Sequence, residues 1–328
     1  MILKSDSTHH SGLGALERHN KNPILLPNED TWWESEAVFN PGVLYDGNKV
    51  HMLYRAIGEY KQYISRFGYA CSTDGFSFER RNEIALEPTE EYEKYGIEDP
   101  RLVTIDNQVY LTYVVLSDYV SKGPVCSTAL ATTDDFHNYK RIGIITNEGS
   151  DNKDVVFFPQ KINQKYFSLH RPRSWVGPRF GVDSPSIWIA EGNTLSNFDN
   201  HTLLMKPEQD WEELKIGAGA PPIKSKQGWL LIYHGVDKGL VYRAGAALLD
   251  LNNPAKVIAR TKQPILQPEE RYERIGDVNN VVFPTGACVI DERLHVYYGG
   301  ADKVCCLAVV ELNDLLSHIL KPNNISTS

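Results

Sequence analysis

The sequence predicts an all-β fold, a five-bladed β-propeller with short terminal helices. Three observations predict it. Five segments share one layout: a proline-containing or apolar opening, an apolar strand, a polar turn and an alternating return strand. The return strands end at residues 54, 113, 169, 233 and 298, at spacings of 59, 56, 64 and 65. The chain also carries 17 Tyr and 6 Trp against 3 Met, a balance that favours strands over helices.

The first segment opens on Phe39-Asn40-Pro41-Gly42-Val43-Leu44-Tyr45, turns at Asp46-Gly47-Asn48 and returns through Val50-His51-Met52-Leu53-Tyr54. The second opens on Glu98-Asp99-Pro100-Arg101, turns at Asp106-Asn107 and returns to Tyr113. The third runs from Phe157-Phe158-Pro159 through Asn163-Gln164 to Leu169. Ala220-Pro221-Pro222-Ile223 opens the fourth, which turns near Gln227-Gly228 and returns through Trp229-Leu230-Leu231-Ile232-Tyr233. Phe283-Pro284-Thr285-Gly286 opens the fifth, which turns at Asp291-Glu292 and returns to Tyr298. A third strand follows each, for example Gly68-Tyr69-Ala70-Cys71-Ser72 and Cys306-Leu307-Ala308-Val309-Val310.

The blades are expected at roughly 36–80, 97–140, 152–200, 215–260 and 280–312, in a single domain over 1–328 with no linker. Outer strands are expected near 22–27 and 263–268, on the twin motifs Asn22-Pro23-Ile24-Leu25-Leu26-Pro27 and Gln263-Pro264-Ile265-Leu266-Gln267-Pro268. One twin precedes blade one and the other blade five, which suggests strand exchange at ring closure, a device that removes free sheet edges. Short helices are expected near 12–19 and 311–319. A two-sheet sandwich is the alternative architecture.

Composition excludes several classes. The chain has 328 residues and a formal net charge of −8, which argues against nucleic acid as a partner. No apolar run approaches bilayer length, and the N-terminus lacks the apolar core of a signal peptide, so no membrane is expected. Five cysteines without zinc spacing read as reduced thiols and a cytoplasmic location, with no metal and no cofactor.

In a propeller, residues beside the blade openings and just after the return strands crowd one mouth of the central tunnel. Asn40, Arg55, Asp99, Arg101, Asn152, Lys153, Asp154, His170, Arg171, Lys215, His234 and Asp302 occupy such places. Charges next to apolar strands are costly unless paired or used. Asp99 reads either as an acid able to donate a proton in a tunnel mouth or as an acidic turn residue paired to Arg101. Arg171 offers a planar fork suited to phosphate or carboxylate, and Lys153 and His234 could converge on it, three potentially cationic groups from successive blades. Gly217-Ala218-Gly219-Ala220-Pro221-Pro222 lacks the strand–turn–helix frame of a nucleotide loop. Its small residues suit close backbone approach to a ligand, with Lys215 beside it as a contact. Trp32, Trp33, Tyr54, Tyr233 and Tyr242 could stack on sugars or pack between blades.

These segments resemble glycoside hydrolase family 130, the inverting β-mannoside phosphorylases and β-1,2-mannosidases. The carriers are Val38-Phe39-Asn40-Pro41-Gly42, Met52-Leu53-Tyr54-Arg55-Ala56, Gly96-Ile97-Glu98-Asp99-Pro100-Arg101, Asn152-Lys153-Asp154, Leu169-His170-Arg171-Pro172, the stretch from Lys215 to Pro222, and Tyr233-His234-Gly235. The resemblance spans about residues 22–312 and implies a five-bladed propeller. It implies that Asp99 is the general acid, acting through a hydroxyl of the mannosyl unit. It implies phosphate binding by Lys153, Arg171 and His234, and contacts to the sugar by Asn40, Arg55, Arg66, Lys215, Tyr242 and Asp302, with Arg55 and Arg66 as competing assignments.

An inverting hydrolase needs a second carboxylate as base. A phosphorylase needs cations to hold its anionic nucleophile instead. Lys153, Arg171 and His234 favour the phosphorylase, so the expected reaction is phosphorolysis of a β-mannoside (a β-1,2-manno-oligosaccharide or β-mannosyl-glucose) to α-mannose 1-phosphate. The partners are then an oligosaccharide and inorganic phosphate. Asp154 keeps a β-mannosidase open, and a non-catalytic glycan-binding propeller is the alternative of another class. Arabinan- and fructan-cleaving propellers need acids at blade openings where this chain has Asn40, Ala220 and Phe283. The stretch 172–183 is a candidate lid or homo-oligomer contact.

Overall fold

The computed structural model describes residues 15–120, 123–146 and 151–324. Strand β1 (Glu17–Arg18) comes first and belongs to the last sheet. Blade one holds β2 (Ala37–Tyr45), β3 (Val50–Ile57), β4 (Arg66–Ser72) and β5 (Glu79–Arg80). Blade two holds β6 (Ile97–Ile105), β7 (Gln108–Val120), β8 (Gly123–Thr133) and β9 (Lys140–Ile144). Blade three holds β10 (Asn152–Phe157), β11 (Tyr166–Pro172), β12 (Ile187–Thr194) and β13 (Asn197–Met205).

In blade four the inner strand is broken into β14 (Lys215–Ala218) and β15 (Ile223–Lys224), followed by β16 (Trp229–Val236), β17 (Tyr242–Leu249) and β18 (Val257–Arg260). Blade five holds β19 (Val282–Ile290), β20 (Arg293–Gly300) and β21 (Val304–Glu311). All the pairings within the five sheets are antiparallel. The architecture is the five-bladed propeller that the repeat predicts. No helix of the described residues is long and apolar enough to cross a membrane.

Ring closure does exchange a strand, but through a different segment. The outer strand of blade five is β1, paired with β21 at Glu17–Val309 and Arg18–Ala308. The segments expected as outer strands, 22–27 and 263–268, form no strand and pair with their sheets at the isolated bridges Leu25–Cys305 and Ala244–Leu266, with Asn22 also bonded to the Leu307 backbone. Their prolines remove ladder donors and keep these stretches from pairing further. A helix over 12–19 is therefore not found in its described part, which carries β1, and residues 12–14 lie outside the described residues. At the other end α2 (Leu312–Ile319) forms as expected and buries Leu315, Leu316 and Ile319. Its companion α1 (Arg271–Arg274) is a single turn.

Each inter-blade gap has its own apolar core. Leu53, Phe67, Leu102 and Tyr113 fill the gap between blades one and two, and Leu230, Ile232, Val282 and Leu294 that between four and five. Both faces of each sheet are covered, which is why β16 is buried along its whole length and reads from Trp229 to Tyr233 as an apolar run.

A buried carboxylate clamp recurs at four blades. Glu34, Glu93, Glu212 and Glu273 sit in the segments leading into blades and accept from a tyrosine hydroxyl of a return strand. These are Tyr54 at 2.6 Å, Tyr113 at 2.7 Å, Tyr233 at 3.1 Å and Tyr298 at 2.7 Å. An arginine from the outermost strand completes each clamp: Arg80 at 2.9 Å, Arg141 at 3.0 Å, Arg260 at 2.5 Å and Arg18 at 2.8 Å. Arg18 lies on β1, so the exchanged strand carries the same locking residue as the three outer strands that belong to their blades by sequence. Blade three differs: His170 takes the tyrosine's place and bonds Asn152 at 2.9 Å and His201 at 2.9 Å. Glu273→Ala strands the Tyr298 hydroxyl and leaves Arg18 only the half-exposed Glu269 and the Gln267 carbonyl. It is expected to cost about 3–5 kcal/mol, read as a lowered denaturation midpoint, while Glu269→Ala, whose carboxylate is half exposed, should change little.

Candidate active site

The inner strands deliver side chains to one mouth through a repeated irregularity. Register shifts interrupt the inner ladders between Phe39 and Gly42, between Glu98 and Arg101, and between Lys153 and Val156. Inside these bulges Asn40, Asp99 and Asp154 take φ of 48°, 52° and 57°. That left-handed backbone is costly for most side chains but is adopted by Asn and Asp. A bulge of this kind re-aims a side chain out of the strand alternation, and here it turns three polar groups toward the axis. Small residues let the inner strands meet: a Cβ on Gly42 would collide with the Pro100 carbonyl.

The mouth opens into a cavity of about 410 Å³ lined from all five blades. Blade one supplies Asn40 and Arg55, blade two Glu98 and Asp99, and blade three Lys153, Asp154 and Arg171. Lys215, His234 and Tyr242 come from blade four, and Phe283 and Asp302 from blade five. Nine of the ten residues expected at the site therefore share one cavity. Arg66 does not line it; its guanidinium lies over the Trp32 ring, 5.0 Å from the centroid. The strand pairing explains the difference. Arg66 faces the same side of its blade as Ala56, opposite to Arg55.

Asp99 is 8% exposed, and its Oδ1 accepts from Asn40 Nδ2 at 2.8 Å. Arg101 donates to the Asp99 backbone carbonyl at 3.0 Å and to the Gly219 carbonyl. It props the bulge and leaves the carboxylate to Asn40. Two buried carboxylates organise the cations. Glu98 receives Arg55 on Oε1 at 2.6 Å and Lys153 on Oε2 at 3.2 Å. Burial opposes its charge, but Arg55 and Lys153 outweigh burial and bring Glu98 down to about 2. Asp154 accepts from Arg171 Nε at 2.6 Å, with His234 Nε2 at 3.7 Å and Arg101 Nη2 at 3.9 Å. Burial again opposes ionisation, and Arg171, His234 and Arg101 overcome it, holding Asp154 far below the carboxylate range. Gly217 makes this cluster possible, since a Cβ there would overlap Asp154 Oδ2 and the His234 ring.

Three polar atoms in this cluster, Arg171 Nη1, Arg101 Nη2 and His234 Nδ1, are buried without a hydrogen-bond partner. Buried polar atoms left unpaired are costly, and two of these three belong to residues that line the cavity, Arg171 and His234. His234 enters as a neutral imidazole and not as a third cation. Burial, reinforced by Arg171 and Lys215, pulls it down to about 3 despite Asp154. Lys215, which donates to Tyr242 Oη at 2.8 Å, is brought down to about 8 by burial and then by Arg171. Asp302 is pushed up to about 7, first by burial and then, against Arg55, by Asp99 and Glu98.

Sequence reasoning gave Glu98 no role and Asp154 only that of a candidate base. The alternation of β6 carried a signal: Ile97 faces the core, so Glu98 faces away from it. Of the five aromatics considered as sugar platforms, Tyr54 and Tyr233 are clamp residues and Trp33 is buried. Tyr242 lines the cavity, and Trp32 is exposed.

The family model of glycoside hydrolase family 130, described as beta-1,4-mannooligosaccharide phosphorylase, matches residues 16–321. A 1,2-beta-oligomannan phosphorylase of Thermoanaerobacter sp. (strain X514) is 43% identical over 307 residues, covering 92% of this chain and 98% of that protein. A beta-1,2-mannobiose phosphorylase of the same organism is 43% identical over 310 residues, covering 90% and 97%. Among solved structures, the beta-1,2-mannobiose phosphorylase of Listeria innocua in complex with beta-1,2-mannobiose superposes with a TM-score of 0.81 at 30% identity, over 93% of this chain and 99% of that one. Similarity of this strength, running nearly end to end over a fold of five blades, makes the chain a member of glycoside hydrolase family 130.

Proposed function

We propose that the protein is a β-mannoside phosphorylase, acting with inversion on β-1,2-linked manno-oligosaccharides to give α-mannose 1-phosphate. The observation that carries the reading is the state of Asp154: the carboxylate beside the anion cluster is ion-paired and held far below neutrality, so it is a poor base for water. What that side of the cavity offers instead is Arg171, Lys153 and the unpaired donors, which suit an anionic nucleophile.

In this reading phosphate rests against Arg171, Lys153 and the neutral His234 while the mannosyl unit lies toward Asn40, Arg55, Lys215, Tyr242 and Asp302. A phosphate oxygen bonds to the anomeric carbon as the glycosidic C–O bond breaks on the opposite face. The proton of Asp99 passes through a mannosyl hydroxyl to the departing sugar oxygen, so the acceptor leaves neutral. The Asn40 bond fixes the Asp99 carboxyl during the transfer. Phosphate is a co-substrate, and no cofactor enters. The five free thiols are consistent with a reducing, cytoplasmic setting. Hydrolysis is the second reading, and Asp302 favours it as the carboxyl lifted to about 7.

The synthetic direction tests the proposal. With α-mannose 1-phosphate and mannose or manno-oligosaccharide acceptors, phosphate release and chain growth are expected. No phosphate release with any acceptor refutes it. A pH dependence follows from Lys215. Below about 8 it is charged, and as pH rises through that value the charge is lost. The KM for the manno-oligosaccharide should therefore rise across this window, and Lys215→Arg should flatten the rise.

A further inference from the structure

Trp32 and Trp33 are neighbours in sequence with opposite fates. Trp33 is 3% exposed and Trp32 is 65% exposed. The Arg66 guanidinium lies 5.0 Å from the Trp32 ring centroid, yet Arg66 itself is only 8% exposed. Its Nε is buried without a partner. No ion pair or hydrogen bond holds Arg66 among the described residues. Burial pulls its pKa below the usual arginine value, and Glu87 and Glu59 offset this only through space. A buried Nε that gains no acceptor is a cost to the fold, while the Nη atoms of the fork keep contact with water. An exposed indole beside it adds apolar area in water. Both costs vanish if one ligand offers hydroxyl acceptors to the fork and a C–H face to the ring.

The pair sits at the same mouth as the cavity. Arg66 opens β4 opposite Ala56, and Ala56 lies opposite Val38, two residues before Asn40. The third strand of a blade is about 10 Å out from the first, at two inter-strand spacings. One loop, 58–65, joins the two places. The ring of Tyr63 faces the Arg55 guanidinium at 5.7 Å, and Arg55 lines the cavity. At the loop's other end Gly58 packs against the Trp32 and Trp33 backbone. Tyr60, half exposed, stacks on Tyr63 between them.

We infer that Trp32 and Arg66 form an outer sugar subsite, which holds a further mannosyl unit of a chain whose end occupies the cavity. The inference rests on the mannoside reading above and extends it to chain length: oligomannans are bound better than the disaccharide.

The test is calorimetric binding of β-1,2-mannobiose, mannotriose and mannotetraose to the full chain carrying Asp99→Asn, so that no turnover intervenes. Affinity should rise with length. Adding Trp32→Ala should erase about five- to tenfold of that gain, the worth of one aromatic contact. Arg66→Gln should erase a comparable part, and Trp32→Phe should restore most of it. If mannobiose binds and length brings no gain, or the gain survives both Trp32→Ala and Arg66→Gln, the subsite is refuted and the mannoside reading stands. If β-1,2-mannosides of every length fail to bind, both fall together.

Discussion

Asp99→Asn is expected to lower turnover by about 10²–10⁴-fold, the worth of a positioned general acid, while mannoside binding persists. Asparagine has no acidic proton to give. It does suit the backbone, because residue 99 sits at a φ of 52° and Asn is among the few residues that tolerate the left-handed region. Its side-chain carbonyl can still accept from Asn40 Nδ2, now at 2.8 Å from the carboxylate. Fold and binding should survive, and the loss should fall on kcat, in single-turnover assays as well as at steady state. Near-normal turnover would remove Asp99 from its role. Asp99→Ala tests less, since alanine is strained at that φ and leaves Asn40 unpaired.

The second large effect is expected at Arg171. Its Nε is spent on Asp154 at 2.6 Å, and its Nη1 is the buried donor without a partner. Arg171→Ala removes the fork that would hold the nucleophile and leaves Asp154 with only His234 at 3.7 Å and Arg101 at 3.9 Å. Breaking a buried pair from one side costs about 3–5 kcal/mol. The variant should therefore need far more phosphate for turnover than any other single substitution at the site, and should also unfold earlier. The two losses separate in Arg171→Ala combined with Asp154→Asn. That double variant no longer buries an unpaired carboxylate, so part of the stability should return while the phosphate requirement does not. An unchanged phosphate dependence in both would contradict the anion assignment.

The architecture was legible because a propeller writes its strands locally. Polar turns such as Asp46-Gly47-Asn48 and alternating returns ending at Tyr54 or Tyr298 recur at one period. The outer strand of blade five was not, because a two-residue strand at Glu17–Arg18 has no pattern of its own; only Arg18, sharing the place of Arg80, Arg141 and Arg260, marks it. At the site, residue types were readable and their charge states were not. In sequence His234 is potentially cationic, because nothing beside Tyr233 marks its burial. Glu98 carries no sequence signal of its role and Asp154 reads only as a possible base, since what matters in them is the pairing of Glu98 with Arg55 and Lys153 from the neighbouring blades and of Asp154 with Arg171 on the next strand. Arg55 and Arg66 could not be told apart from spacing, because the side of the blade each faces depends on the register of β3 and β4.

The central claim is that the nucleophile is a phosphate oxygen held by Arg171 and its neighbours, and not a water activated by a carboxylate. Turnover of a β-1,2-manno-oligosaccharide in ¹⁸O-enriched water containing ordinary phosphate tests it directly. The expected result is α-mannose 1-phosphate with no label at the anomeric oxygen and no product when phosphate is withheld. Free mannose carrying ¹⁸O at C1, formed at the same rate without phosphate, would contradict it.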